Sequence, residues 1–150
     1  MLSFSMMKQD SELIDLFMHI ALVVTRQSDQ VLLEQLGIGI SQYRILSSLR
    51  GSAGVPQINI AKGLGQTEAS ISRQIKLLVN HGLVISQPCP SNRRTHIISL
   101  TPKGARHLEG ASQILAKHQS TTYASLSEKQ QVQLVDILGK FHENVCQDLH

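Results

Sequence analysis

Leu13, Leu16, Phe17, Ile20, Val24 and Val31 recur at helical steps, with polar Asp15, Arg26, Gln27 and Asp29 between them. That period predicts an amphipathic helix over residues 11–36, ended by Gly37 and Gly39. Ser41 is placed to cap a second helix through Arg50, with Tyr43, Ile45, Leu46 and Leu49 on its apolar side and Gly51 as the stop. Pro56 suits the start of a short third helix, Gln57–Gly63. After Leu64-Gly65-Gln66, Thr67 caps a fourth helix running to His81, and Gly82 fits its left-handed C-terminal position.

The period then changes. Residues 83–87 and 95–100 are two short β-like runs, joined by Pro88-Cys89-Pro90-Ser91-Asn92-Arg93-Arg94, with Asn92-Arg93-Arg94 as the hairpin tip. Thr101-Pro102 is an N-cap followed by a first-turn proline, opening a fifth helix to about residue 121. Ser127 and Gln130 have capping-box spacing and start a sixth, with an apolar stripe of Leu134, Ile137 or Leu138, Phe141, Val145 and Leu149. The fold class expected is mainly α with a small β-wing.

The first and last helices each carry an apolar stripe that the compact middle of the chain can hardly cover. A second copy is the commonest partner for such helices, so Leu13, Leu16, Phe17, Leu134, Leu138, Phe141 and Val145 are expected at a homodimer interface. The competing arrangement packs the two helices on each other within one chain.

Residues 56–100 read as helix, turn, helix and hairpin, the order of a helix-turn-helix whose second helix enters the major groove. On a helical wheel Ile75 and Leu78 fall within about 40° of Ile71, and the three face Ile60, Ala61 and Leu64. The opposite side shows Ala69, Ser70, Arg73, Lys76 and Asn80, with Leu77 beside them. Small and hydroxyl residues allow close approach to base edges, and Arg73 is long enough for a bidentate contact to guanine or phosphate. Paired arginines on a proline-flanked loop suit the minor groove, where the negative potential attracts them.

Charge sharpens this picture. The net charge of +3 hides a segregation: residues 60–106 hold Lys62, Arg73, Lys76, Arg93, Arg94, Lys103 and Arg106 against the single acid Glu68. A basic middle between mildly acidic ends is the mark of a module that faces a polyanion.

With these residues in place, the chain resembles the multiple-antibiotic-resistance regulator (MarR) family of bacterial winged-helix transcription factors. The resemblance is carried by Ile60-Ala61, Leu64-Gly65, Ser70-Ile71-Ser72-Arg73, His81-Gly82-Leu83-Val84, Pro88, Arg93-Arg94 and Leu100-Thr101-Pro102-Lys103-Gly104. Leu126-Ser127-Glu128 with Leu134 and Leu138 continues it, so that residues 11–147 are covered. The resemblance implies one chain of this type over residues 1–150, with dimerisation helices at 11–36 and 105–149 and a winged helix-turn-helix lobe at 41–104. It implies a homodimeric repressor or activator on a pseudo-palindromic double-stranded DNA operator, located in the cytoplasm with the nucleoid. The DNA-binding residues would be Thr67, Ala69, Ser70, Ser72, Arg73, Lys76, Asn92, Arg93 and Arg94. It also implies a small-molecule effector between the lobe and the dimerisation helices, for which His19, Val23, Arg26, Tyr43 and His118 are the residues singled out.

Two departures from the family pattern stand out. Asn92 replaces the aspartate usual before the paired basic residues, and Cys89 replaces an earlier acid. A neutral amide accepts roughly half as strongly as a carboxylate, so Arg73 or Arg94 would be held more loosely. Asn92 also keeps open a second function class, a winged-helix interaction or architectural protein that binds DNA weakly. Cys89, beside Arg93 and between two prolines, opens a third, a thiol redox-responsive regulator.

Other classes find no support. Five aromatics and no Trp give few platforms for stacking single-stranded bases. The longest aliphatic run, residues 20–24, is far short of the roughly 20 residues that span a bilayer, and no signal-like segment opens the chain. Cys89 and Cys146 make neither a disulfide framework nor a metal-type pair. No phosphate loop, His-Glu-x-x-His or nucleophile elbow is present, so no catalytic residue, enzyme activity or cofactor is expected. His96, His107 and His118 are spaced by 11, but on one helix the last two lie about 16 Å apart and cannot share an ion within one protomer; a composite site across a dimer is the alternative to surface histidines, and no metal is expected.

Overall fold

The computed structural model describes residues 2–146, with side chains from Ser11 to Val145. Its elements run α1 (Leu2–Leu36), α2 (Ile40–Ser48), β1 (Val55–Pro56), α3 (Gln57–Gly63), α4 (Glu68–Asn80), β2 (Val84–Cys89), β3 (Asn92–Leu100), α5 (Pro102–Tyr123) and α6 (Glu128–Cys146). The fold is mostly helical with a small antiparallel sheet, as the period pattern predicts. The expected continuation of the last helix through Leu149 lies outside the described residues.

Helix α1 starts earlier than its apolar period does, because neither proline nor glycine interrupts residues 2–36. The cap of α2 differs from expectation. Gly39, not Ser41, stands at the N-cap, and Asp29 of α1 supplies the missing acceptor: its Oδ1 takes the Ile40 N–H at 2.8 Å. The same oxygen lies 2.8 Å from where a Cβ on Gly39 would sit, so only glycine admits the carboxylate there. Gln42 completes the turn by accepting the Gly39 N–H at 3.0 Å.

The hairpin also departs from the sequence reading. Its strands are longer, and its tip is the two-residue turn Pro90-Ser91; Asn92, Arg93 and Arg94 open β3. Pro88 and Cys89 are strand residues because β2 is an edge strand in the order β1-β3-β2, where a missing N–H goes unnoticed. Between Pro88, opposite His96, and Cys89, opposite Asn92, the register slips, leaving Arg93, Arg94 and Thr95 without partners on β2. The third strand, β1, pairs Val55 and Pro56 with Ile98 and Ile97. Two residues are too few to show a period.

One core fills the middle of the chain. Leu32, Ile38, Ile45, Leu46, Leu49, Ile60, Ile71, Leu78, Leu83 and Ile98 are fully enclosed, joined by Ala61, Ile75, Val84, Leu108, Ala111 and Leu115. Each large side chain so buried contributes about 1.5–3 kcal/mol. Nothing from α6 or from residues 11–22 enters this core. Phe17 and Phe141 stack with centroids 6.2 Å apart, yet remain 51% and 45% exposed. The two terminal helices therefore touch without covering each other.

The end of α4 and the start of α5 cap one another. His81, Gly82 (φ 69°) and Leu83 close α4 by a Schellman arrangement, with Leu83 N–H on the Leu78 carbonyl at 2.9 Å and Gly82 N–H on that of Val79 at 2.9 Å. The Thr101 N–H donates to the Leu83 carbonyl at 3.1 Å, the Thr101 hydroxyl to that of Gly82 at 2.7 Å, and Lys103 Nζ to that of His81 at 2.8 Å. Thr101 Oγ1 in turn accepts the Gly104 N–H at 2.9 Å. A Cβ on Gly104 would collide with the Leu83 carbonyl oxygen. Gly104→Ala is expected to destabilise the protein by roughly 1–3 kcal/mol. Gly110→Ala, where a Cβ meets nothing within 4 Å, should stabilise it by about 0.5–1 kcal/mol. Urea melts of both variants check this, and equal effects would contradict the close approach.

Candidate nucleic-acid interface

Helix α4 is aimed by its buried face. Ile71, Ile75 and Leu78 pack in the cluster that holds Ile60, Ala61 and half-buried Leu64, and Gly65 (φ 60°) makes the tight turn between α3 and α4. Thr67 caps the helix by accepting the Ser70 N–H at 3.2 Å, while the Ser70 hydroxyl donates to Gln66 Oε1 at 3.3 Å. Glu68, the one acid of the basic stretch, sits in the first turn, where its charge complements the helix dipole. What remains outward beyond it is Ala69, Arg73, Lys76, Leu77, Val79 and Asn80, with Ser70, Ser72 and Gln74 half-buried at the margin.

The wing brings three more of the expected residues to the surface: Asn92, Arg93 and Arg94 are all exposed. Asn92 Oδ1 accepts the backbone N–H of Arg94 at 3.1 Å. Asn92 therefore shapes the main chain at the start of β3 and leaves the guanidinium groups untouched. Among the described residues the ion pairs are Arg50–Glu109 and Lys140–Asp136; Arg73, Lys76, Arg93 and Arg94 take part in neither. A polyanion meeting this face would not have to displace a protein carboxylate.

Helix and wing adjoin across a hollow of about 310 Å³, lined from α4 by Ser72, Lys76 and Asn80 and from the hairpin by Ser86 and His96. The sequence reading did not bring Ser86 and His96 to this face. Their signal was present in the two-residue period of each strand, but the register slip beside them hid the pairing.

A second crevice, of about 400 Å³, opens where α1, α2 and α5 meet. Of the five residues singled out for an effector, Tyr43 lines it, with its hydroxyl 3.5 Å from Ser112 Oγ. His19 lines a separate open hollow on α1 with Glu12, Asp15 and Leu16, while Val23, Arg26 and His118 line neither. The crevice instead gathers Thr25, Ser28, Arg44, Ser112 and Gln119. Gln119 Nε2 donates to the buried Ser28 Oγ at 3.1 Å, joining α5 to α1. The spacing of Thr25 and Ser28, and of Ser112 and Gln119, puts each pair on one helix face; that was the available signal.

Among the described residues no three His, Cys, Asp or Glu side chains converge as a metal site would require, and no helix is long and apolar enough to cross a membrane.

Residues 38–96 match the model of the MarR family. The chain is also similar to solved structures. A mutant MarR from E. coli is 25% identical with a TM-score of 0.75, the match covering 85% of this chain and 93% of that one. The transcriptional repressor CouR bound to a 23-mer DNA duplex is 25% identical with a TM-score of 0.74, covering 83% and 88%. CouR from Rhodococcus jostii RHA1 bound to p-coumaroyl-CoA shares the fold at 20% identity and a TM-score of 0.72, covering 84% and 88%. Helix, turn, helix and the greater part of the wing lie within the matched segment, so residues 38–96 form a domain of the MarR family.

Proposed function

We propose that this chain is a homodimeric, sequence-specific DNA-binding regulator, in which α4 reads the major groove and the wing contacts the minor groove and phosphates. The observation that carries this is the set of four cations, Arg73, Lys76, Arg93 and Arg94, exposed on adjoining elements without a carboxylate partner among the described residues. Thr67, Ala69, Ser70, Ser72 and Asn92 complete the DNA-facing set. The DNA-bound repressor CouR supports the same reading and favours repression. The lobe is residues 41–104, and the helices at 11–36 and 105–149 form the dimer.

Dimerisation is supported by what α1 and α6 leave open. Leu13, Leu16, Phe17, Leu138, Phe141 and Val145 are each at least 41% exposed, and Leu134 is half-buried. So much apolar surface on two neighbouring helices needs a cover, and a twofold-related copy supplies a matching one. Two recognition helices then read half-sites about 34 Å apart, on an imperfect palindrome of roughly 16–20 base pairs. The crevice around Tyr43 suits a small-molecule effector: its polar groups are hydroxyls, an amide and the Arg44 guanidinium, which would orient an acidic, partly apolar ligand. The ligand-bound CouR supports a site for small molecules in this fold.

A second reading, a thiol-responsive regulator, has one observation in its favour. Cys89 Sγ lies 3.2 Å from Ser91 Oγ, and hydrogen bonds from the Ser91 side chain and backbone hold its pKa below the usual thiol value. The thiolate is the reactive form, and it stands at the wing's turn.

Arg73→Ala and Arg94→Ala should fail differently. Loss of Arg73 is expected to cost about 1–3 kcal/mol per half-site and relax the preference at one base position. Loss of Arg94 should weaken binding to every sequence and lower the salt slope by about one unit per protomer. Equal, purely salt-like losses in gel shifts would reject base reading by α4. Removal of residues 127–150 is expected to give a monomer by sedimentation that no longer binds a full operator. A truncated chain that stays dimeric would refute the terminal-helix interface. With Cys146→Ser as background, Ser91→Ala should raise the apparent pKa for alkylation of Cys89, since a lost hydrogen bond to the thiolate favours the thiol. An unchanged pH–rate profile would remove the support for the thiol reading.

A further inference from the structure

We propose that the hollow between α4 and the β2–β3 hairpin is a binding site for a phosphate of the DNA backbone, with His96 and Lys76 as its cationic ligands. The inference rests on the reading of this chain as a DNA-binding regulator and adds a residue to it that neither the sequence pattern nor the family resemblance assigned.

The lining decides the chemistry. Gln57, Ser72, Lys76, Asn80, Ser86 and His96 are its polar side chains, and every one can donate a hydrogen bond. None is a carboxylate. Ile75 and Val79 complete the lining with apolar surface. A concavity whose polar groups are all donors, one of them charged, suits an anion with several acceptor oxygens. Geometry supplies that anion. If α4 lies in the major groove and the hairpin reaches the minor groove, the sugar–phosphate strand that separates the two grooves runs between them. That is where the hollow sits.

His96 is prepared for this part by Ser86, whose Oγ is 3.3 Å from its Nδ1. The Ser86 hydroxyl can turn either way. When it donates to Nδ1, the neutral ring carries its hydrogen on Nε2; in the charged ring Nδ1–H donates to it instead. In both of these arrangements Nε2 offers an N–H, and the charged ring adds a full charge. Lys76 from α4 is the only other charged or titratable side chain lining the hollow; β2 and α3 bring Ser86 and Gln57, and β1 brings none. A phosphate held at Nε2 bonds more strongly to the charged ring than to the neutral one, so binding and proton uptake promote each other.

The test is fluorescence anisotropy of the full chain with a labelled mixed-sequence duplex of about 30 base pairs. Readings are taken near pH 6 and near pH 8, over about 50–200 mM salt. The wild type should bind roughly three- to tenfold more tightly at the lower pH, with a salt slope steeper by about one unit per protomer. His96→Gln should lose most of that gain and the added slope, with little change at the higher pH. His96→Lys should show the tighter binding and steeper slope at both. If the wild type binds DNA and His96→Gln keeps the wild-type pH gain and slope, the phosphate site is overturned while the regulator reading stands. If the wild type binds no duplex at either pH, the regulator reading falls, and the site with it.

Discussion

The close approach of Gly104 to the Leu83 carbonyl is the constraint on which the rest of the lobe depends. A helix end leaves its last carbonyls without partners, and a helix start leaves its first N–H groups so. Here the two sets lie against each other, and Thr101 and Lys103 of one satisfy His81, Gly82 and Leu83 of the other. Because both ends of the β2–β3 hairpin are thereby clamped at one point, it must project as a closed arm beside α4. The direction of α5 relative to α4 is set by backbone contact, with no side chain between them to give way.

This clamp gives the second crevice its meaning. Arg50 of the α2 end donates to Ser112 Oγ at 2.8 Å and pairs with Glu109, both on α5, and Asp29 of α1 holds the start of α2. A ligand wedged among Thr25, Tyr43 and Ser112 would press on α5, and α5 cannot shift its first turn without carrying the end of α4 along. Energetic coupling needs such a continuous chain of packed and hydrogen-bonded groups. The chain exists between the crevice and the recognition helix.

The helices were legible because their signals are local. Thr67, Thr101 and the Ser127–Gln130 capping box stand where a sequence reading puts them, and Ile71, Ile75 and Leu78 reach the core by spacing alone. The failures are the features that depend on distant partners. Asp29 caps α2 across 11 residues of chain, which no local rule finds. β1 exists only because Ile97 and Ile98 offer it an edge. The hairpin tip was misplaced because Pro88 reads as a breaker, and only the sheet order reveals that β2 is an edge strand. The crevice lining was missed for the same reason: apolar stripes announce themselves on one helix, whereas a polar pocket is assembled from three.

Asn92 looks different once its contact is known. From the sequence it is a weakened partner for an arginine; in the structure it holds the Arg94 main chain, a task that a neutral amide does well. Among the described residues the arginines of the wing and of α4 then have no carboxylate to hold them, and both remain exposed. Clustered like charges of this kind repel one another in the free protein and gain most from a ligand that neutralises them. The ordering of two long side chains is paid for at the moment of binding rather than in advance. A wing built this way favours general attraction to phosphate over prearranged contact, so under the proposed DNA reading discrimination between sequences would fall chiefly to the first turns of α4. There Ala69, Ser70 and Ser72 would allow the backbone close to the bases, and Arg73 would be long enough to reach an edge.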